Sequence, residues 1–486
     1  MNIACRNTRI KIKDILAFVC IAFVFHLLFS YSTSPLYIEE GQDSCVFKTM
    51  GLALLQGKEI YRDIFDHKGP ILYFINAFGQ LLITGKTGIF ILQIIGLTIA
   101  LSYMYKIAKF FHDTKFSYLS ILCTLVFFAI LISEGNQCEE WMLYSFCIAF
   151  YYAIKYFLLI SGNQHPYKYS FVYGLCFAFS FFIRPNDAFA WEGGIMASVT
   201  LWLIYKHEYV NCCKNILAFI IGAATITVPV LTYFAIHDTL SDLWYGLIGF
   251  NVEYSGGLHN YGLKKAFLSI PIAAILFFCY DKSLRRMMLL FVPMTIFAFL
   301  LIGSKMFWHY LISFIPILFI CTIMILKRPK MVRWSLFILC FILGAAKVSS
   351  IPQRMYINKS FNARLYQEAE SIFAMIPNNE LDSVWNYNLA WSKINKERYI
   401  PEEYLLSDFS ILFHKKVVQS NKITMGRSLR LTTEDNIKVK RPKWIIVNNS
   451  GDWPNITVDD SLFINRNYKK VVELNIKKVC LYKRVN

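Results

Sequence analysis

The sequence predicts an α-helical polytopic membrane protein of about eleven transmembrane helices. Interfacial helices occupy its first outer loop, and a small soluble α/β domain closes the C-terminal end. Three observations predict this. Hydrophobic residues make up 56% of the chain and charged ones 17%, where soluble domains carry about a quarter. Apolar segments long enough to cross a bilayer recur down to about residue 350. The basic residues gather in short clusters beside those segments, which is how membrane topology is written.

Taken in order, the predicted spans are 14–33, 88–108, 116–133, 141–160, 169–184, 188–205, 215–236, 266–280, 287–303, 309–326 and 333–350. The first follows Arg6, Arg9, Lys11 and Lys13 and resembles a signal peptide, but no small-residue cleavage site follows it, so a retained helix is expected. The apolar piece 70–84 is only about fifteen residues, at or below the lower limit for a span. Setting it at the interface puts Lys106, Lys109 and Lys115, then Lys168, Lys206 and Lys214, Lys282 to Arg286, and Lys327 to Arg333 on one side. The positive-inside rule then makes that side, with the N-terminus, cytoplasmic.

The division expected is 1–350 for the transmembrane domain, with its first outer loop at 34–87, and 351–486 for a soluble α/β domain outside. Strands are expected at Ser383–Asn388, Lys443–Val447 and Val479–Lys483, and a helix at Ala363–Met375. The net charge of +18 does not imply nucleic acid, because most of it lies beside spans. The thirteen cysteines fall mostly inside apolar stretches without metal-ligand spacing and read as buried thiols.

In this topology the polar stretches of the membrane half share one face. They are IEEGQDS (38–44), YRDIFDHKGPILYF (61–74), SEGNQCEEW (133–141), IRPND (183–187), FNVEYSGGLHNY (250–261) and GSKMFWHY (303–310). Asp43 precedes helical spacing in which Val46, Met50, Ala53 and Leu54 line one side, so it caps an interfacial helix or serves as a base or metal ligand at the surface. His67 and Lys68 stand before Gly69-Pro70, where a lysine anchors the chain at the interface or meets a lipid phosphate. Glu139 and Glu140 open a span, and the helix dipole alone accounts for acids there. Arg184 to Asp187 reads as an interfacial turn with an ion pair, and Lys305, His309 and Tyr310 as a helix end. Each has a structural explanation taken singly; their shared face argues for function.

These stretches resemble the C-type membrane glycosyltransferases, among them the protein O-mannosyltransferases and the aminoarabinose transferases (the bacterial members being family-39-like). The likeness rests on Asp43 in QDSCVFKTMGLALLQGKEIY, on DHKGPILYF, NQCEEWML and IRPND, and on a late HYLISFIP, and it covers residues 14–350. The resemblance implies a hexosyl- or pentosyl-type transferase using a polyprenyl-phosphate-linked sugar. It implies Asp43 as catalytic base or metal ligand, Glu139 or Glu140 as the second acidic site, and Asp43 with Glu139 as holders of a divalent metal. It implies Lys68, with His67, Arg184, His309 and Tyr310, around the lipid phosphate. The second acidic site is Glu-Glu where several members have Asp, which bears on metal dependence.

The chemistry agrees independently. A phosphate leaving group carries its own charge, so cations and one base suffice, whereas a glycosidase needs a paired acid and base. The expected reaction moves the sugar to a lipid, glycan or protein acceptor at the outer (periplasmic) face of a bacterial inner membrane, among membrane lipids and without nucleic acid. A lipid-linked glycan polymerase or ligase would place its largest outer loop late in the membrane region, and here the charged loop comes first. A transporter or flippase would show internal symmetry or charge at mid-membrane.

Overall fold

The computed structural model describes residues 10–37, 41–62, 66–160, 162–255, 261–280, 282–301, 307–357, 371–372, 374–386, 441–448, 458–474 and 479–485. Glu39, Glu40, Asp63, Lys305 and most of the helix expected at Ala363–Met375 lie outside them. The helices in chain order are α1 (Ile12–Phe29), α2 (Gln42–Leu55), α3 (Pro70–Leu82), α4 (Thr87–Phe111), α5 (Thr114–Leu131), α6 (Cys138–Lys155), α7 (Tyr167–Phe181), α8 (Pro185–Ala188), α9 (Gly194–Tyr205), α10 (Tyr209–Ile236), α11 (Leu240–Trp244), α12 (Phe250–Ser255), α13 (Tyr261–Tyr280), α14 (Met288–Leu301), α15 (Ile315–Leu326) and α16 (Lys330–Ile357). Wider π-helical turns follow α6 at Tyr156–Ile160, α8 at Phe189–Gly193 and α11 at Tyr245–Gly249, and a 3-10 turn, Trp308–Phe314, leads into α15.

Among the described residues nine helical segments are long and apolar enough to cross a membrane: Ile12–Phe29, Thr87–Phe111, Thr114–Leu131, Cys138–Ile160, Pro185–Tyr205, Tyr209–Ile236, Leu284–Leu301, Trp308–Leu326 and Lys330–Ile357. Each falls on one of the eleven expected spans. The other two correspond to α7, of 15 residues, and α13, whose described apolar part is Leu268–Tyr280. Only 17% of the apolar window of Tyr209–Ile236 and 11% of that of Lys330–Ile357 is buried in the protein, against 83% for Trp308–Leu326. Apolar faces that long and that bare are solvated by lipid, not water, so this is an integral membrane protein.

Backbone contacts divide the chain into two units. The first comprises 1–30, 90–232 and 255–351. Here α6 packs on α7 and on the Trp308–Phe314 turn, α5 on α15, and α9 on α14. Thus α6 is enclosed, with fifteen buried residues from Cys138 to Ile154.

The second unit comprises 31–89, 233–254 and 352–486. Its helix α2 begins one residue before Asp43, with Met50 and Ala53 buried and Val46 and Leu54 half-buried, close to the expected interfacial pattern. Helix α3 has 13 residues, so it rises about 20 Å, short of the roughly 30 Å hydrocarbon core. Gly69 is its N-cap and Pro70 its first residue, where a missing N–H costs nothing.

The same unit holds a four-stranded sheet. Its strands are β1 (Val384–Asn386), β2 (Trp444–Asn448), β3 (Tyr468–Glu473) and β4 (Val479–Arg484), in the order β1-β2-β4-β3. β1 runs parallel to β2, and the other pairs are antiparallel. Three strands fall on expected ones; β3 and the helix Val458–Asn467 before it are additions. β2 is buried on both faces. Trp444 and Ile446 pack with Val479 and Leu481, and Ile445 and Val447 with Ile464 and Tyr468. Such double burial explains its unbroken apolar run, while the charged YKKVVE of β3 hides a strand with little buried surface.

Candidate functional site

Two polar clusters stand out, one in each unit. In the second unit the segment between Tyr61 and Tyr73 is wound around Lys68. Tyr61 takes φ 68°, a left-handed conformation uncommon for a bulky residue, and is fully buried. Its ring stacks on Phe234 at 5.8 Å, and its hydroxyl donates to the Lys68 carbonyl at 2.5 Å. Gly246 makes room for that ring, since a Cβ there would run into it. From the other side the Lys68 N–H donates to the Tyr73 hydroxyl at 3.0 Å, and that hydroxyl lies 2.9 Å from Asp66 Oδ2. The Lys68 backbone is thus fixed at both of its polar groups, just before the N-terminus of α3.

The side chain is held as well. Lys68 Nζ lies 3.0 Å from His67 Nε2. An ammonium has only donors, so Nε2 must accept and Nδ1 carries the proton. Nδ1 in turn lies 3.3 Å from Asp66 Oδ1. The His67 ring stacks on Phe250 at 5.2 Å, and its carbonyl accepts from Asn251 Nδ2 at 2.8 Å. Burial alone would raise the Asp66 pKa; His67, the Lys68 charge and the Tyr73 hydroxyl outweigh it and hold the carboxyl below its ordinary range. Asp66 therefore shapes the loop through Tyr73 and helps to hold the lysine through His67. Asp43, in the same unit, stands exposed on the first turn of α2.

In the first unit the turn before α6 is set by two left-handed residues, Gly135 (φ 87°) and Asn136 (φ 58°). A Cβ at position 135 would come within 2.5 Å of Ser30. Asn136 Oδ1 accepts from Trp141 Nε1 at 3.0 Å and ties the turn to the helix it starts. The two acids that follow then part. Glu139 pairs with the Arg184 guanidinium. Arg184 Nε also lies 3.1 Å from Asp187 Oδ2, and its guanidinium sits 3.8 Å over the Tyr310 ring. Burial disfavours that charge, but Asp187, Tyr310 and Glu139 more than offset it and raise the arginine's pKa. NQCEEW, IRPND and WHY, far apart in sequence, thereby meet at one cation. His309 stacks on Phe307 at 5.6 Å and stands edge-on to Tyr310 at 4.9 Å.

Glu140 turns away into the helix packing, fully buried. One oxygen accepts from Gln93 Nε2 at 2.6 Å and from the Tyr144 hydroxyl at 2.8 Å. His26 Nδ1 lies 3.6 Å from that oxygen and 2.7 Å from Ser30 Oγ. Sequence reading passed over this network and a second buried acid, Glu192, bonded to Ser180 at 2.8 Å and Ser145 at 3.2 Å. An acid inside an apolar run was the available signal in both cases. It also passed over Glu59, which pairs with His237 and accepts from Tyr233 at 3.1 Å.

A divalent metal, implied by the resemblance, would draw on Glu139. That carboxylate already faces a fixed guanidinium, which supplies the charge a cation would bring. Among the described residues no three His, Cys, Asp or Glu side chains gather as a ligand set. The described residues at Glu139 do not fit a metal, and no step below passes through one.

No protein-family model and no curated protein matches the sequence. The fold does have solved counterparts. ArnT from Cupriavidus metallidurans bound to undecaprenyl phosphate superposes with a TM-score of 0.62 at 11% identity, covering 97% of this chain and 98% of that one. Its apo form gives 0.60 at 10% identity over the same shares. The apo oligosaccharyltransferase of Archaeoglobus fulgidus gives 0.47 at 10% identity, covering 89% of this chain and 69% of that one. Superposed along nearly the whole length of both chains, this chain carries the fold of ArnT.

Proposed function

We propose that the protein is a glycosyltransferase that moves a hexosyl- or pentosyl-type sugar from a polyprenyl-phosphate carrier to an acceptor hydroxyl at the periplasmic face of a bacterial inner membrane. The observation that carries this reading is the immobilised Lys68. Its ammonium is held by His67, its backbone by Tyr61 and Tyr73, and it immediately precedes the N-terminus of α3. A fixed cation beside a helix N-terminus suits a phosphate. The fold-mate ArnT was crystallised with undecaprenyl phosphate, a ligand of that chemistry.

In this reaction the bond between the sugar's anomeric carbon and the phosphate oxygen breaks, and the phosphate leaves with the electron pair. Lys68 takes up the charge that develops there. Asp43, at the start of α2, removes the proton of the acceptor hydroxyl as it attacks. Arg184 holds Glu139 in one orientation, and Tyr310 fixes the guanidinium plane. His309 and Tyr310 supply ring surface beside that cation. Glu140 keeps α6 in register through Gln93 and Tyr144. Residues 351–486 are taken as an outer-side domain, and the N-terminus as cytoplasmic.

Mass spectrometry of envelope lipids and glycans tests the reading, comparing wild type, a deletion strain and Asp43→Asn. A modification lost in the deletion strain and in Asp43→Asn supports it; an unchanged product pattern in Asp43→Asn removes the base assignment. Cysteine labelling at the exposed position 115 tests the orientation, and labelling from outside the cell overturns it.

A further inference from the structure

At the far end of α6 from Glu139 lies a cluster the transfer reaction does not use. Sixteen residues on, or about 24 Å along the helix, Lys155 extends its ammonium to 6.0 Å from the Tyr151 ring and 5.8 Å from the Tyr169 ring. From α4, Lys106 reaches the same Tyr151 ring at 5.5 Å and the Tyr103 ring at 4.3 Å. Tyr152 completes the group, 4.7 Å from Tyr169 and 6.3 Å from Tyr103. Three helices, α4, α6 and α7, thus bring two lysines and four tyrosines together. Both lysines are half-buried, and neither forms an ion pair among the described residues.

A lysine near a helix end ordinarily stretches its ammonium away from its neighbours towards water. These two converge on one ring. Cation–π contact is weak at such sites and does not remove the repulsion between like charges in a medium of lowered dielectric. An anion between them would turn that repulsion into two charge-assisted hydrogen bonds, and the tyrosine hydroxyls are further donors. Basic pockets between transmembrane helices serve headgroup phosphates in this way.

We propose that Lys106 and Lys155, with the tyrosines around them, form a second phosphate site, which takes the headgroup of an anionic membrane lipid in the leaflet away from Glu139 and Arg184. It makes no use of the donor assignment above.

The test uses the full-length protein in nanodiscs of phosphatidylcholine alone, or with phosphatidylglycerol added, and native mass spectrometry for retained lipid. Wild type should retain phosphatidylglycerol and gain Tm from it. Lys106→Gln/Lys155→Gln should bind it at least about tenfold more weakly and gain little. In phosphatidylcholine alone the double variant should melt no lower than wild type, because a repulsion has been relieved, which separates lost binding from lost folding. Lys106→Arg/Lys155→Arg should keep the lipid. A Tm gain from inorganic phosphate that disappears in the double glutamine variant would support the phosphate site with a soluble source. Equal lipid retention by wild type and the double glutamine variant would overturn the proposal.

Discussion

Arg184 and Glu139, separated by 45 residues in sequence, form a half-buried ion pair, and the same guanidinium contacts Asp187 and covers the ring of Tyr310. One planar cation therefore holds the starts of α6 and α8 and the turn before α15. A lysine cannot reproduce this, because its point charge lacks the fork that engages two carboxylates. Arg184→Lys should lower transfer at least about tenfold, and Arg184→Met more. Breaking a buried pair from one side costs about 3–5 kcal/mol, less where solvent reaches it, and Met leaves two carboxylates facing one another. Transfer assays and thermal melts on both variants check this. Equal activity in Arg184→Lys would show that charge alone suffices.

The two adjacent glutamates should separate by phenotype. Glu139→Gln should keep its melting temperature within a few degrees and lose activity, since Asp187 still pairs with Arg184. Glu140→Leu should melt clearly lower, because Gln93 and Tyr144 lose their acceptor inside the helix packing. A stranded buried donor costs about 1–3 kcal/mol. Reversed phenotypes would exchange the two roles.

Lys68→Met should raise the KM for a polyprenyl-phosphate sugar about tenfold to a hundredfold, the equivalent of one charge-assisted hydrogen bond of about 1.5–3 kcal/mol. The KM for the acceptor should hold steady. A rise in acceptor KM alone would move Lys68 away from the donor phosphate.

Gly246→Val tests the same lysine from a distance. The added side chain must displace the Tyr61 ring, which releases the Lys68 carbonyl. Donor KM should rise and the melting temperature fall, whereas Tyr61→Phe should affect KM with a smaller change in stability.

Asp66 has a folded-state pKa below its ordinary value, so its ionised form is the one bound by the fold. Its contribution is complete above the unfolded value, about 4, and is lost as the pH falls through the lower folded value. The Tm difference between wild type and Asp66→Asn should be constant from neutral pH to about pH 4 and shrink below it. A difference that shrinks between pH 7 and pH 5 would place the titrating group elsewhere, His67 first.

Sequence alone was informative wherever a property adds up along the chain. Among the described residues, nine helical segments long enough to cross fall on expected spans because apolar length is local and the bilayer sets one threshold. Lys68 before Gly69-Pro70 was readable for the same reason, since Pro at a helix start and a charge at an interface are both short-range signals. Strand β3 was missed because it hides little apolar surface, so its charged pattern resembles a loop.

Residue type and position thus determined a polytopic membrane protein, the approximate places of its spans, and the acidic and basic side chains worth testing. Only the tertiary structure decided their partners. Glu139 and Glu140 are neighbours with the same chemistry, yet about 100° of helix rotation sends one to Arg184 and the other to Gln93 and Tyr144. Which of the two meets a cation depends on how α6 packs against α7, α4 and the turn before α15. That is a long-range property, and no window of sequence contains it.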